Sequence, residues 1–229
     1  EPDQQKLFHV KQYRRPAPVR RKPVIVPPRP HSRCGHDMPH PLLDHLSAML
    51  GPLPPAVDRL CRRSQPLDLT KGQALLREGE CWQHLWWLER GALRLYYLDR
   101  QGKASNKNFY LDNAMIWPIT PALRHEPVHF WVEAMAPGRV WPLPWSDWQA
   151  TADGIATWHT LERRTLATLL QDKMQREHTF LQLTATERYV SLCAEHPDWF
   201  ERVPLRHLAS WLGVTDVALS RIRRQLNPG

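Results

Sequence analysis

The chain has 229 residues, 42 % hydrophobic, with 11 tryptophans and a net charge of +8, which supplies apolar material for one large or two modest cores. No run of 18 apolar residues occurs, so no membrane-spanning helix is expected, and the basic, proline-rich start lacks the apolar stretch of a secretory signal. The four cysteines (Cys34, Cys61, Cys81, Cys193) are widely spaced and form no CxxC pair; reduced thiols in a cytoplasmic protein follow, and a thiolate-held iron–sulfur cluster does not.

Charge is unevenly placed. Residues 1–37 hold nine Lys/Arg against Glu1, Asp3 and Asp37, or +6, which leaves +2 for the remainder. From Arg202 onward five Arg face one Asp. Both ends are basic and the middle is slightly acidic, a distribution suited to a polyanionic partner.

Residues 1–41 contain nine of the 22 prolines and no apolar periodicity. Such a segment buries too little surface to offset its ordering entropy and reads as a disordered basic tail. Met38 stands where an ordered protein could begin. Cys34, His36, His40 and His45 are too irregularly spaced on a proline-rich backbone to predict a metal site. A helical pattern follows in Leu42, Leu43, Leu46, Met49 and Leu50, then a short helix over Pro55–Arg63.

The period then changes. Leu67, Leu69 and LTKGQALLREGE predict short strands around turns at Lys71–Gly72 and Gly79. Further strands are expected at Leu85–Leu88, Ala92–Leu98 and Lys103–Leu111, in VHFWVEAM from Val128, and in RVWPL after a turn at Ala136–Gly138. Short strands punctuated by glycine point to a β-sandwich or jelly roll.

Helical periodicity returns with Ser146–Thr151. A longer helix is predicted over about Gly154–His178, striped by Ile155, Trp158, Leu161, Leu166, Leu169, Leu170 and Met174; its length of close to 40 Å suits a dimer seam. Leu183–Phe200 reads as one more amphipathic helix, capped by Thr184 with Glu187 three residues on.

The strongest signal is Val203–Leu226. Leu205, Leu208, Ala209 and Leu212 give a first helix one buried face; Gly213 sits where a left-handed backbone ends it; Thr215 offers an N-cap. In the second helix Leu219, Ile222 and Leu226 face inward, while Asp216, Val217, Ser220, Arg221 and Arg224 lie opposite with Arg223 beside them. A helix–turn–helix that exposes three arginines suits a DNA major groove.

With these parts assembled, the chain resembles the CRP/FNR family of bacterial transcription regulators from Leu42 to Leu226. KGQALLREGE with LWWLERGALRLYY is similar to the start of that family's effector domain, and TERYVSLCAEHPDWFERVPLRHLASWLGVTDVALSRIRRQL to its DNA-binding end. The resemblance implies an α+β architecture. It comprises a basic tail (1–41), a double-stranded β-helix or jelly-roll effector domain (42–152), a dimerisation helix (153–180) and a winged-type helix–turn–helix domain (181–229).

It implies a homodimer on pseudo-palindromic double-stranded DNA, with Val217, Ser220 and Arg221 at base edges. Thr215 and Asp216, which open the recognition helix, belong to the same DNA-binding set, Arg206, Arg223 and Arg224 contact phosphates, and His207 stands at the rim. RNA polymerase and a small-molecule effector, or none, complete the partners to consider; no membrane, cofactor or metal is among them.

Two departures matter. Asp112 and Asn113 stand where the family's cyclic-nucleotide binders carry Gly-Glu, and Val128 falls near the place of their phosphate-binding arginine; Arg124 is a nearby cation at the wrong spacing. Without a charge-assisted partner for the phosphate, a cyclic nucleotide is disfavoured. Trp117, Trp131 and Trp141 fit core filling better than a residual pocket. Val217 replaces the usual glutamate and can meet a thymine methyl but not a cytosine amino group, so the operator differs from the usual half-site.

A second reading is a sequence-independent nucleic-acid binder using the tail and the C-terminal arginines. No HExxH, P-loop, GxSxG or dinucleotide fingerprint supports an enzyme.

Overall fold

The computed structural model of the chain describes residues 40–226, all within one of the two units into which the chain divides, residues 33–229. Residues 1–39 of the predicted tail, with Cys34 and His36, lie outside the described residues, whereas its last residue, Pro41, is not tail but the first residue of a helix, where proline's fixed φ is favourable.

Two short helices, α1 (Pro41–Leu50) and α2 (Pro55–Arg63), lead into strands β1 (Leu67–Leu69), β2 (Ala74–Leu76), β3 (His84–Arg90), β4 (Ala92–Leu98), β5 (Ala104–Leu111) and β6 (Ala114–Ile116). Helix α3 (Pro121–His125), strands β7 (Trp131–Ala134) and β8 (Gly138–Pro144) and helix α4 (Trp145–Ala152) follow. Then come the long α5 (Ala156–Gln182) and a terminal cluster: α6 (Ala185–Glu195), α7 (Pro197–Arg202), α8 (Leu205–Leu212) and α9 (Asp216–Leu226).

The strands form two antiparallel four-stranded sheets, ordered β1-β8-β3-β6 and β2-β7-β4-β5, as the jelly-roll expectation requires. Alternation along β3 shows how they pack. Trp86 and Leu88 enter the core between the sheets with Leu93, Leu95, Val132 and Val140. Leu85 and Trp87 face the other way, into a second core under α1, α2, α4 and the start of α5. Because both faces of β3 are covered, its sequence reads HLWWL rather than as an alternation of polar and apolar residues. The outer face of the second sheet is covered by the terminal helices, where Ala92, Phe109 and Met135 join Trp199, Leu208, Leu212 and Leu219.

Trp117 and Trp141 are buried core residues, as expected, and Trp131 stacks on Tyr96 at 6.2 Å between centroids. His40 and His45 pack against Trp141 and Trp87 at 4.9 and 4.5 Å.

Several boundaries differ from the sequence expectation. The strand expected from Val128 begins at Trp131, because Val128 pairs its backbone with the loop carrying Gly79 and Glu80. Strand β6 and helix α3, three and five residues long, were not anticipated. The helix expected over Leu183–Phe200 is two: Pro197 keeps His196 out of the helical region (φ −137°, ψ 63°), and the chain restarts as α7. No strand accompanies α6–α9 among the described residues, so the wing of a winged-type unit is not among them.

Candidate nucleic-acid interface

The terminal cluster is built from local signals. Thr184 and Glu187 close a reciprocal capping box at the head of α6. Arg188 on α6 donates from Nε to the Leu212 carbonyl (3.2 Å) and from Nη1 to that of Leu183 (2.9 Å), so the end of α8 is tied to the start of α6. Gly213 ends α8 with φ +70°, and a side chain there would also meet the Phe180 ring at 2.7 Å. Thr215 Oγ1 then accepts from the Ala218 amide at 3.2 Å and opens α9.

On α9, Leu219 and Ile222 are buried, while Asp216, Val217, Ser220, Arg221, Arg223 and Arg224 are exposed, as are Thr215 just before it and Arg206 on α8. Val217 is 61 % exposed, a large value for an apolar side chain. Among the described residues no carboxylate pairs with Arg221, Arg223 or Arg224; Arg223 also lies beside the Tyr189 hydroxyl. A convex helix face with three uncompensated cations, one apolar side chain and one hydroxyl is chemically matched to phosphates and base edges. Leu226, expected inward, is 41 % exposed in the last turn.

His207 departs from its expected place. It is 8 % exposed and turned away from the α9 face, toward the β-roll. Its Nδ1 faces two donors, Arg94 Nη1 at 3.3 Å and Asn106 Nδ2 at 3.4 Å, so the ring accepts there and carries its proton on Nε2. Burial, then the charges of Arg94, Arg206 and Lys71, push its pKa down to about 4. Arg94 is itself held by Glu133 at 2.9 Å, whose other oxygen accepts from the Tyr96 hydroxyl at 2.9 Å.

Beside it, Ser210 Oγ accepts from the Asn106 amide (3.0 Å) and donates to the Ala104 carbonyl (3.2 Å), so α8 caps the open edge of β5. Sequence reasoning missed this docking. Its trace was there in polar His207 and Ser210, interleaved with the apolar residues of α8.

The stretch compared with the cyclic-nucleotide clamp is occupied by other work. Asp112 and Asn113 form the turn between β5 and β6, with Asn113 at φ 67°. The Asp112 carboxylate accepts from the Gly91 amide and from Arg202 on α7. Arg124 donates to the Pro118 carbonyl (3.1 Å) and to Glu162 on α5 (3.2 Å). Val128 is buried in the core.

No protein-family model matches the chain, and no curated protein does. Solved structures do. FixK2 from Bradyrhizobium japonicum superposes with a TM-score of 0.62 at 19 % identity, covering 72 % of this chain and 85 % of that one. CLP of Xanthomonas campestris, a c-di-GMP-responsive global regulator, gives 0.61 at 12 % identity over 76 % and 91 % of the two chains. A crp/fnr-family transcriptional regulator from Eubacterium rectale gives 0.57 at 18 % identity over 75 % and 82 %. The fold is that of the CRP/FNR regulators. At the turn between β5 and β6, Asp112 serves as an anchor for α7 through Arg202.

α5 has 27 residues, about 40 Å, yet its buried residues are Trp158 and Thr179. Leu166, Leu170, Met174 and Leu181 are 45 %, 61 %, 62 % and 72 % exposed. No helix among the described residues is long and apolar enough to cross a membrane.

Proposed function

We propose that the chain is a sequence-specific DNA-binding transcription regulator that grips a pseudo-palindromic operator as a homodimer. The observation that carries this is the α9 face: Val217, Ser220, Arg221 and Arg224 stand outward together on a helix anchored by Leu219 and Ile222. Val217, Ser220 and Arg221 meet base edges, and Arg206, Arg223 and Arg224 meet phosphates; Asp216 and Thr215 set the start of the helix.

The likeness to known regulators of the CRP/FNR fold supports the same reading. So does the apolar stripe of α5, whose exposed residues at positions 166, 170, 174 and 181 recur on one side of the helix, as a seam between two copies requires. The reading assigns residues 42–152 to an effector roll, 153–180 to dimerisation and 181–229 to DNA. Cyclic nucleotide is not the effector, a view supported by the engagement of Asp112 with Arg202 and of Arg124 with Glu162.

Selection of bound sequences from random DNA by the purified full chain, at fixed salt, tests the proposal. The expected result is a palindrome with half-sites one helical turn, about 34 Å, apart. Flat enrichment with a steep salt slope would instead establish sequence-independent binding.

A further inference from the structure

From Arg202 to Gly229 the chain carries five arginines and a single acidic residue, Asp216. It is the first residue of α9 and is exposed. Its neighbour serves the backbone at the helix start: Thr215 Oγ1 accepts from the Ala218 amide at 3.2 Å, and the Thr215 carbonyl accepts from the Leu219 amide at 3.0 Å. Among the described residues no Lys, Arg or His lies within ion-pair distance of the Asp216 carboxylate. Three other carboxylates in or against the terminal cluster are engaged by the protein. Glu187 closes the capping box of α6, Glu195 accepts from the Ser191 hydroxyl at 2.6 Å, and Asp112 holds Arg202.

On a helix that meets DNA, an uncompensated carboxylate is repelled by the phosphates, and the helix N-terminus attracts it only modestly at an exposed site. The repulsion is offset where the carboxylate accepts from a base edge. The major groove presents two amino donors, cytosine N4 and adenine N6. Adenine sets its N7 lone pair beside N6, which opposes a carboxylate, whereas cytosine sets a C–H beside N4. A carboxylate therefore selects cytosine. The placement suits that role. Cα–Cβ bonds tilt toward a helix N-terminus, so the Asp216 side chain leans ahead of α9, at the end whose residues meet base edges. Val217 follows directly and Ser220 lies one turn on, both exposed.

We propose that Asp216 is a specificity-determining residue that reads a cytosine by accepting a hydrogen bond from its N4 amino group. The inference rests on the proposed function and deepens it: Arg221 reads a guanine, Val217 a thymine methyl and Asp216 a cytosine. Between Asp216 and Arg221 α9 rises about 7.5 Å, so the cytosine lies within about two base-pair steps of the guanine.

The test runs the selection from random DNA on full-length wild type, Asp216→Asn and Asp216→Ala at one salt concentration, with thermal midpoints measured alongside. Wild type should enrich a cytosine in each half-site close to the guanine read by Arg221. D216A should lose that preference and keep the guanine. D216N should move the preference to adenine, because an amide both accepts from N6 and donates to N7. On isolated operators, changing the cytosine to thymine should weaken wild type about tenfold and leave D216A unchanged. D216A should bind scrambled DNA as tightly as wild type or more tightly, since one repulsive charge is gone. Identical base preferences in the three proteins would overturn the inference. So would a uniform loss by D216A on operator and scrambled DNA with a lower midpoint, which would leave Asp216 as a partner of the helix dipole. A wild-type palindrome without a cytosine preference overturns this inference alone, whereas flat enrichment by wild type overturns the proposed function and this inference with it.

Discussion

Arg202 holds Asp112 through two hydrogen bonds, Nη1 to Oδ2 at 2.8 Å and Nη2 to Oδ1 at 3.0 Å, and donates a third to the Gly91 carbonyl at 3.1 Å. The pair joins α7 to the turns that end β3 and β5. One carboxylate thereby braces the Gly91 turn and sets where the terminal helices sit on the roll.

The pair is about 40 % exposed on each side, so its contribution is about 1 kcal/mol or less. Asp112→Asn should lower the thermal midpoint by roughly 2–4 °C at neutral pH. The Arg202 hydrogen bonds, ahead of the Gly91 amide, hold the Asp112 carboxyl below its usual range. A depressed folded pKa stabilises above the unfolded value, about 3.9, and that stability is lost as pH falls through the folded pKa. Urea unfolding should therefore separate wild type from D112N at pH 7 and bring them together in acid.

His207 gives a second acid-sensitive joint, in a different window. Its pKa is about 4 in the folded protein, against about 6.5 unfolded. Its stabilising effect is complete above pH 6.5 and declines as pH falls from there toward 4, because the unfolded chain takes up the proton first. Wild type should lose urea resistance across that interval more steeply than His207→Gln. Parallel curves would show that Arg94 and Asn106 do not hold the ring neutral.

Much of this was legible in the sequence, for local reasons. Gly213 and Thr215 fix the turn before α9 by backbone preference and capping, and the glycine-separated strands announce the roll. Pro197 could have been read as a break. The α8–β5 docking could not, because Ser210 bonds to Ala104 and Asn106 across more than 100 residues, and no periodicity encodes which sheet edge a helix will cap. His207 was placed at the DNA rim for the same reason: neighbours in sequence suggested a basic face, and the roll claimed the side chain. Asp112 reads as a failed clamp until Arg202 is seen beside it.

Gly213→Ala should destabilise by about 1–2 kcal/mol. Two effects combine there: φ is +70°, and the new methyl would meet the Phe180 ring at 2.7 Å. Gly154→Ala, with nothing within 4 Å and no positive φ, is the control and should fall within about 0.5 kcal/mol of wild type. A neutral G213A in thermal melts would mean that α5 and α8 part more readily than the contact suggests.

Leu170 and Met174 are the apolar centre of the exposed α5 face, at 61 % and 62 % exposure. In a dimer each is expected to lose most of its remaining exposure, so that a charge at either place is repelled from an apolar seam. Leu170→Glu with Met174→Glu should yield a monomer by light scattering, with an unchanged fold by circular dichroism. A wild-type chain that is itself monomeric at tens of micromolar would remove the seam.

Arg221 and Arg223 are two residues apart on α9, both exposed, yet they carry different expectations. Arg221 shares its face with Val217 and Ser220, where a fork of donors can meet a guanine edge. Arg223 points to the flank, close to the Tyr189 hydroxyl, where it reaches a phosphate. Arg221→Ala should cost about 1–3 kcal/mol on the preferred operator and relax one base position in each half-site, whereas Arg223→Ala should weaken all sequences alike and reduce the salt slope by about one. Binding of both variants to the selected operator and to scrambled DNA, over a salt series, separates the two. Equal, sequence-independent losses would leave α9 as a basic surface without a reading role.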